Sequence, residues 1–330
     1  MLLRYCTLLI CHVSLVVANP PPRRHRESIP GVGFSLSSVH VTAAVYYENG
    51  AWAEVAHVEG SSTYKAFMRK SPSTEVDIQD INPEMFTTDP IFPVLDPFQH
   101  ASCRPNPDLE SVTEVLRSLK AAVVSQLGME FCYAQIALPD PDWNYQTNIT
   151  YQALASINLR PVFSVLDAAP TALWASVLAT TPLPRDGEIH TVLGIEYSDS
   201  GLNVSLWGAE YEGYVDYIRG SNDGTLGERN RGRPGYQNRV KDFLEEITQR
   251  PFGDNGWGYQ YQERLERVVL YGDATTDEEF LKTLNLVVGS KLPETQGLDP
   301  VYAVAVGAAQ AAYFAAVTVV PQHLPRFVSI

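Results

Sequence analysis

One order of elements occurs twice along this chain of 330 residues: two strand-forming runs around a short turn, followed by helix, strand and helix. The first cycle begins near residue 32 and the second near residue 190. Apolar and polar residues alternate on both sides of Asn49-Gly50, and this pattern is typical of a β-hairpin. Strands that alternate with helices predict mixed sheets flanked by helices. We therefore expect an α/β fold of two subdomains around a central cleft, at residues 32–180 and 181–330.

Two helices are marked most clearly by their residue patterns. The stretch "PDLESVTEVLRSLKAAVVSQLG" repeats apolar residues at helical spacing, and we expect Asp108 or Ser111 at its N-cap and Gly128 at its C-cap. The last helix, "DPVYAVAVGAAQAAYFAAV", is almost wholly small and apolar, which predicts burial. Gly307 within it predicts that another element crosses closely there. Residues 65–107 are polar and proline-rich, which predicts a long irregular excursion.

The first residues are typical of a secretory signal peptide. Arg4 is followed by an apolar run to Val17, and small residues precede Asn19. The run is too short for a good membrane span, and "NPPPRRHR" cannot extend it as a helix. We expect a signal peptide at 1–18, a disordered Pro/Arg segment at 19–31, and no membrane span beyond the signal. The predicted location is the secretory pathway, either secreted or in the endoplasmic reticulum lumen.

The net charge, the cysteines and the sequons indicate which partners and modifications to expect. A formal net charge of -14 argues against nucleic-acid binding. Cys103 and Cys132 remain after the signal, and they either form a disulfide or stay as two buried thiols. No Cys/His spacing resembles a zinc site, so we expect no metal site of that kind. Of two glycosylation sequons, Asn148 in a polar loop is expected to carry a glycan, whereas Asn203 lies in a strand-like run.

Six stretches, in a fixed order, resemble the motifs of one family. They are "GFSLSSVHVTAAVYYENG", "YAQIALPDPDWNYQTNITYQALASINLRPVFSVLDAAPTALWA", "HTVLGIEYSDSGLNVSLWG", "GTLGERNRGRPGYQNRVKDFLEEI", "VVLYGDATTDEEFLKTL" and "DPVYAVAVGAAQAAYF". Over most of residues 32–317 the chain is similar to the nucleotide-binding domain of the seventy-kilodalton heat-shock chaperones. The resemblance implies the actin-like ATPase (ribonuclease H-like) fold. We expect no substrate-binding domain after the last helix.

The first phosphate hairpin departs from the family pattern. The family has an Asp and then a Gly-Thr-Thr turn, whereas the matching positions here are Ser35, Ser37, Ser38 and Val39. The carboxylate is lost, but Ser37 and Ser38 keep hydroxyls that could meet a phosphate.

The second phosphate hairpin departs as well. The family has Asp, a Gly-Gly-Gly-Thr turn and a second Asp, whereas this chain has Glu196, a different turn and Asn203. The turn residues are Ser198, Asp199, Ser200 and Gly201. Glycine amides can cradle phosphates because no side chain blocks them. Serines narrow such a turn, and Asp199 adds a negative charge.

The remaining motifs also depart from the family pattern. The family's adenosine turn Gly-Gly-Ser is replaced by Gly272, Asp273 and Ala274, and a family Glu is replaced by Ala169. The family's phosphate-contacting Lys has no counterpart that we can assign. Glu196 is the acid that persists, as the catalytic candidate. The resemblance therefore implies a protein that binds ATP or ADP, with Mg²⁺ if bound, and hydrolyses it weakly or not at all.

Two other functions stay open. The first is an interaction or scaffold module that uses the fold without nucleotide and binds an unknown protein partner. The second is a secreted hydrolase that uses acids such as Asp140, Asp142 or Glu210, although no nucleophile elbow or Ser/His/Asp spacing is present. The serines of both hairpins also have a simple interpretation as turn residues. Glu196 follows an apolar strand, and we expect it to be partly buried and to face the cleft.

Overall fold

The computed structural model describes residues 29–70, 106–139, 141, 144–176, 183, 188–210, 215–253, 261–289 and 298–319. The expected signal peptide, most of the Pro/Arg segment, Cys103, Asp140 and Asp142 lie outside these residues. The expectations for them stay predictions.

The first half of the chain builds a mixed sheet. Its strands are β1 (Gly31–Leu36), β2 (His40–Tyr46), β3 (Trp52–Glu59), β4 (Tyr133–Leu138), β5 (Arg160–Pro161) and β6 (Leu166–Asp167). β1, β2 and β3 are antiparallel neighbours, and β4 lies parallel to β1 on its other side. Both β5 and β6 pair in parallel with β4. The hairpin expected around Asn49-Gly50 is confirmed as the β2–β3 connection.

The second half repeats this topology. Its strands are β7 (His190–Tyr197), β8 (Leu202–Ala209), β9 (Val215–Asp223) and β10 (Leu265–Tyr271), in the spatial order β10-β7-β8-β9. Three antiparallel strands are again followed by a strand parallel to the first of them. The element order that occurs twice in the sequence thus folds twice into the same arrangement, and the expected α/β class with mixed sheets is confirmed.

Seven helices flank the sheets in the part of the chain that the structure describes. They are α1 (Ser62–Met68), α2 (Pro107–Leu127), α3 (Asn144–Ser156), α4 (Ala168–Trp174), α5 (Tyr236–Thr248), α6 (Glu278–Val288) and α7 (Ala303–Val319). Short 3-10 helices at Gly224–Leu226 and Glu228–Asn230 precede α5. Of the helices described, none combines the length and hydropathy that a membrane crossing requires.

Local signals explain where α2 begins and ends. Its N-cap is Asn106, whose side chain accepts hydrogen bonds from the N–H groups of Asp108 and Leu109. The expectation of Asp108 or Ser111 was wrong, because Pro107 occupies the first helical position and moves the cap one residue ahead of it. The expected C-cap is confirmed, since Gly128 adopts the left-handed conformation.

Two regions differ from expectation. The segment expected to be irregular, residues 65–107, begins inside α1, which continues to Met68. The run "RPVFSVLDA" at residues 160–168, which the sequence predicts as a single strand, is broken into β5 and β6, because Pro161 has no N–H for the ladder. Gln135 of β4 bridges the break: its buried amide accepts from the N–H of Phe163 and donates to the carbonyl of Ser164, both at 2.8 Å.

α7, from the second half of the chain, packs on β1, β2 and β4 of the first sheet and crosses α4, and it is buried along most of its length. A Cβ placed on Gly307 would lie 1.9 Å from the carbonyl oxygen of Thr171 in α4. The close crossing expected at Gly307 is therefore confirmed. A Cβ on Gly33 of β1 would likewise lie 2.2 Å from the carbonyl oxygen of Ala305 in α7. One apolar core joins residues of α4, α7 and both sheets, so the halves share buried surface.

Candidate functional site

The β1–β2 turn is closed by its own serine. Ser37 donates its backbone N–H and its hydroxyl to the carbonyl of His40, at 2.9 and 2.8 Å. The same hydroxyl accepts from the N–H groups of Val39 and His40. This pattern matches the interpretation of Ser37 as a turn residue, because its hydrogen-bonding capacity is used locally.

Polar groups of the β7–β8 turn also form hydrogen bonds within the turn. The N–H of Ser198 donates to the carbonyl of Gly201 at 3.0 Å, and the hydroxyls of Ser198 and Ser200 are 3.0 Å apart. The N–H of Glu228, from the short helix before α5, donates to the carbonyl of Ser198. The segment that follows β9 therefore stabilises the turn through this hydrogen bond.

The turn after β10 explains why Gly272 is retained. Its φ is +107°, and a Cβ there would lie 2.6 Å from the carbonyl oxygen of Tyr197. That carbonyl accepts from the N–H of Ala274 at 3.0 Å. Both the backbone conformation and the close approach to β7 require glycine. This requirement is structural and involves no ligand.

These three turns meet directly, at a place we call the cleft. The hydroxyls of Ser38 and Ser200 are 2.7 Å apart. The N–H of Asp199 donates to a carboxylate oxygen of Asp273 at 3.3 Å. Arg69, just after α1, forms an ion pair with Asp199 at 2.9 Å. We call the Ser38–Ser200 and Arg69–Asp199 contacts the clasp, because each of them joins the first half of the chain to the second.

A small cavity lies beside the β1–β2 turn and the Gly272 turn. Its volume is about 20 Å³, which is room for about one water molecule. Residues from both halves line it, including Ser35, His40, Glu196, Tyr271 and Gly272. The hydroxyl of Tyr271 is buried and has no hydrogen-bond partner among the described atoms. An unsatisfied buried hydroxyl beside a water-sized space suggests that water occupies this cavity.

Glu196 is an acid of the cleft whose pKa is strongly shifted. It lies at the end of β7, opposite Asn203 of β8 and Tyr271 of β10. Burial raises the pKa of its carboxyl to about 7, and the negative charges of Asp273 and Asp167 add to this effect. The Asn203 side chain donates a hydrogen bond that acts in the opposite direction. Glu196 therefore carries a proton for much of the time at neutral pH.

The pKa of Asp273 is shifted in the opposite direction. Burial alone would raise its pKa, but His40, together with backbone hydrogen bonds, outweighs burial and holds the pKa of Asp273 below its usual value. The ring Nδ1 of His40 lies 3.7 Å from the Asp273 carboxylate. Two acids in one cleft thus differ in protonation, with Glu196 neutral more often than Asp273.

The structure brings together every residue predicted for nucleotide binding. The cleft or its walls contain Ser35, Ser37, Ser38, Glu196, Ser198, Asp199, Ser200, Gly201, Gly272, Asp273 and Ala274. Sequence reasoning missed four neighbours: His40, Arg69, Asp167 and Tyr271. Tyr271 and His40 adjoin recognised turns and could have been found. Arg69 could not, because its partner Asp199 is remote in sequence.

The chemistry of the cleft is acidic. Asp167, at the start of α4, caps that helix by accepting from the N–H of Ala169 at 2.9 Å. With Glu196, Asp199 and Asp273 it makes four carboxyl groups, against which Arg69 supplies a permanent positive charge. Among the described residues, no group of three His, Cys, Asp or Glu side chains is arranged to hold a metal ion.

The other predicted sites have mixed outcomes. Asn148 lies in α3 and not in a loop, because the helix begins at Asn144 and includes the whole sequon. Its side-chain oxygen accepts from Gln152, and Thr150 is fully buried. The glycan stays a prediction. Asn203 lies in β8, as expected. Cys132 is exposed, and its pairing with Cys103 stays a prediction.

No protein-family model and no curated protein sequence matches this chain.

Proposed function

We propose that the chain has the actin-like ATPase fold in a form that keeps its cleft closed without nucleotide and serves as a protein-interaction module. The repeated sheet topology and the crossing of α4 and α7 support the fold. One observation carries the function: the turns expected to hold a nucleotide touch one another, and the cavity lined by Ser37, Glu196 and Gly272 has a volume of only about 20 Å³. Ligand pockets usually measure roughly 300–1,000 Å³.

Electrostatics supports the same proposal. A nucleotide would bring several negative charges to a site where Asp167, Asp199 and Asp273 already lie. Two like charges 4 Å apart repel by about 4 kcal/mol at an effective dielectric constant of about 20. Arg69 supplies a positive charge at the cleft, and it already forms an ion pair with Asp199 at 2.9 Å. A phosphate would have to displace this ion pair and bring its own counter-ions.

Hydrolysis is disfavoured for a separate reason. Efficient phosphoryl transfer needs a metal-ion site and an oriented water. Ser35 and Asn203 stand where the resemblance calls for carboxylates, and Glu196 is half neutral near pH 7. The residues of the cleft are therefore compatible with weak ATP hydrolysis at most.

A second candidate function is nucleotide binding in an opened form of the cleft. The convergence of the β1–β2 turn, Glu196 of β7 and the Gly272 turn on one cavity favours it. Separation of the clasp would free the hydroxyls of Ser38 and Ser200 and the guanidinium of Arg69 for phosphate. ATP or ADP would then enter together with Mg²⁺.

Calorimetric titration with ATP and ADP, with and without Mg²⁺, separates these two functions. For the wild-type chain we expect no heat and no thermal shift at millimolar nucleotide. The matched comparison is the double variant Asp199→Asn with Ser200→Ala, which lacks both clasp contacts but keeps the Ser38 hydroxyl and the Arg69 guanidinium. Binding by the wild type would refute the closed-cleft proposal. Binding by the double variant alone would show that the cleft keeps its nucleotide contacts behind the clasp.

The secretory location belongs to the same proposal. A chain expressed with its own N-terminus should be recovered from the secretory pathway beginning near Asn19, as N-terminal sequencing would show. A glycan on Asn148 would be detected in the same sample by the mass lost on enzymatic deglycosylation. An intact Met1 on cytosolic protein would contradict the signal-peptide prediction.

A further inference from the structure

One edge of the first sheet is open. β3 is the last strand on its side of the sheet, and among the described strands it pairs with β2 alone. The N–H of Gly60, just after β3, donates to the carbonyl of Val39 at 2.9 Å. Because successive residues of a strand point their backbone groups to opposite sides, those of His57 and Glu59 point away from β2. An exposed edge of this kind is a template for another strand.

A groove lies beside the end of this edge. Its volume is about 260 Å³, against about 20 Å³ for the cavity in the cleft. Its lining includes Val58, Glu59 and Ser61 at the end of β3 and the start of α1, and Glu114, Val115 and Ser118 of α2. The two valines supply apolar surface, on which the aliphatic stem of a lysine or arginine side chain packs well.

The surroundings of the groove are acidic. Glu114 is exposed on α2, and it forms no ion pair with the residues that the structure describes. Glu59 pairs with Lys65 of α1, but its side chain is still 77% exposed. Glu54 is a further exposed acid of β3. A positively charged side chain is therefore complementary to this surface, and the net charge of -14 acts in the same direction.

A second copy of the chain is a poorer occupant of the edge. Two β3 strands paired with each other would bring Glu54 and Glu59 of one copy close to the same acids of the other. Like charges across a strand pair destabilise it. A basic strand meets no such repulsion.

We propose that the edge of β3 and the groove beside it form a surface for an extended segment of a partner protein that is rich in lysine or arginine. The segment adds as a strand along His57 and Glu59, whose outward N–H and carbonyl groups gain partners. One basic side chain lies in the groove, with its charge near Glu114. The inference rests on the proposed role as an interaction module and names the class of partner.

Fluorescence anisotropy of the full chain with a labelled peptide tests this surface. The probe is a nine-residue peptide in which threonine and lysine alternate, and the reference peptide has glutamate in place of lysine. At about 0.1 M salt we expect the lysine peptide to bind and the glutamate peptide not to bind. N-methylation of two consecutive central amides keeps the charge but removes N–H donors on both edges of the peptide. It should weaken binding at least about fivefold.

Two double variants of the chain locate the binding. Glu59→Gln with Glu114→Gln removes the acids of the groove, and we expect about tenfold weaker binding, since exposed ion pairs contribute roughly 1.5- to fivefold each. Glu245→Gln with Glu246→Gln removes the same charge from the exposed surface of α5. This control should change the affinity less than about twofold, because salt screens distant charges.

Hydrogen exchange shows whether the peptide pairs with β3. When the lysine peptide is bound, the N–H groups of His57 and Glu59 should exchange at least about tenfold more slowly. The N–H of Asp199, which is bonded to Asp273 in the cleft, should exchange at its unchanged rate. A peptide held by charge alone would give no protection on β3.

Several results would overturn the proposal. They are equal binding of the lysine and glutamate peptides, equal losses in the two double variants, and unchanged exchange at His57 and Glu59. A wild type that sediments as a dimer, with both amides protected before peptide is added, would assign the edge to a second copy. Tighter probe binding after Arg23, Arg24 and Arg26 are replaced by Ser would assign it to the chain's own basic segment. The closed cleft is decided separately, by nucleotide titration.

Discussion

Gly307→Ala tests the crossing that joins the two halves. A Cβ at this position would lie 1.9 Å from the carbonyl oxygen of Thr171, more than 1 Å inside the shortest distance that real Cβ atoms show. The atom it meets belongs to the backbone of α4 and cannot rotate away. α7 must therefore shift, and its close packing at Gly33 of β1 shifts with it.

The magnitude is a balance of two effects. Overpacking of a tight interior contact costs about 1–3 kcal/mol, and a rigid backbone partner places this site at the upper end. Alanine regains about 1 kcal/mol relative to glycine inside a helix. We therefore expect a net loss of about 2 kcal/mol in the free energy of unfolding.

Urea denaturation of both proteins, followed by circular dichroism, measures this loss. The matched control is Gly232→Ala, because a Cβ on that exposed glycine meets nothing within 4 Å. The control should stay within about 0.5 kcal/mol of the wild type. If Gly307→Ala proved as stable as the wild type or more so, helix propensity would have decided the outcome. The close crossing of α4 and α7 would then be refuted.

Five further variants test the capping and cleft arguments. Asn106→Ala should destabilise the protein by about 1 kcal/mol in urea titrations, and Asn106→Asp should retain the cap; equal losses would contradict the assignment. Gly272→Ala should destabilise by about 2 kcal/mol through its positive φ and the Tyr197 carbonyl, without changing nucleotide titrations. Glu196→Gln should raise the melting temperature above that of the wild type at about pH 8.5 but not at about pH 4.5, because the wild-type penalty grows as the pH rises through 7; a gain in acid would reverse the sign. Arg69→Gln should cost no more than about 1 kcal/mol, since the pair is partly exposed, and a larger loss would show an unrecognised role.

Local signals in the sequence were enough for most of the elements. Asn49-Gly50 specifies its hairpin through backbone conformations that other residues disfavour, and Gly128 ends α2 for the same reason. Gly307 also predicted a tertiary feature, because an unfavourable helix residue needs a reason in packing. The identity of the crossing partner, Thr171, was not predictable, since it depends on how α4 is placed.

The cleft was predictable as a set of residues but not as a closed arrangement. Each turn has a recognisable residue pattern, so the turns could be named from the sequence. The Ser38–Ser200 and Arg69–Asp199 contacts join residues far apart in the chain, and single-sequence patterns contain no such information. The break between β5 and β6 was also missed, although Pro161, which has no N–H for the ladder, is visible in the sequence.

The contact between β1 and α7 has a consequence for biosynthesis. Gly33 near the beginning of the chain packs against Ala305 and Ala309 near its other end. At roughly 5–20 residues per second, a ribosome needs about 15–60 seconds to make the residues between them. During that interval the face of β1 that α7 covers has no native partner. The core that β1 shares with α2 and α3 needs no residue beyond Val165. The opposite face of the sheet waits for α7, and truncation before α7 should leave that apolar face exposed and prone to aggregation.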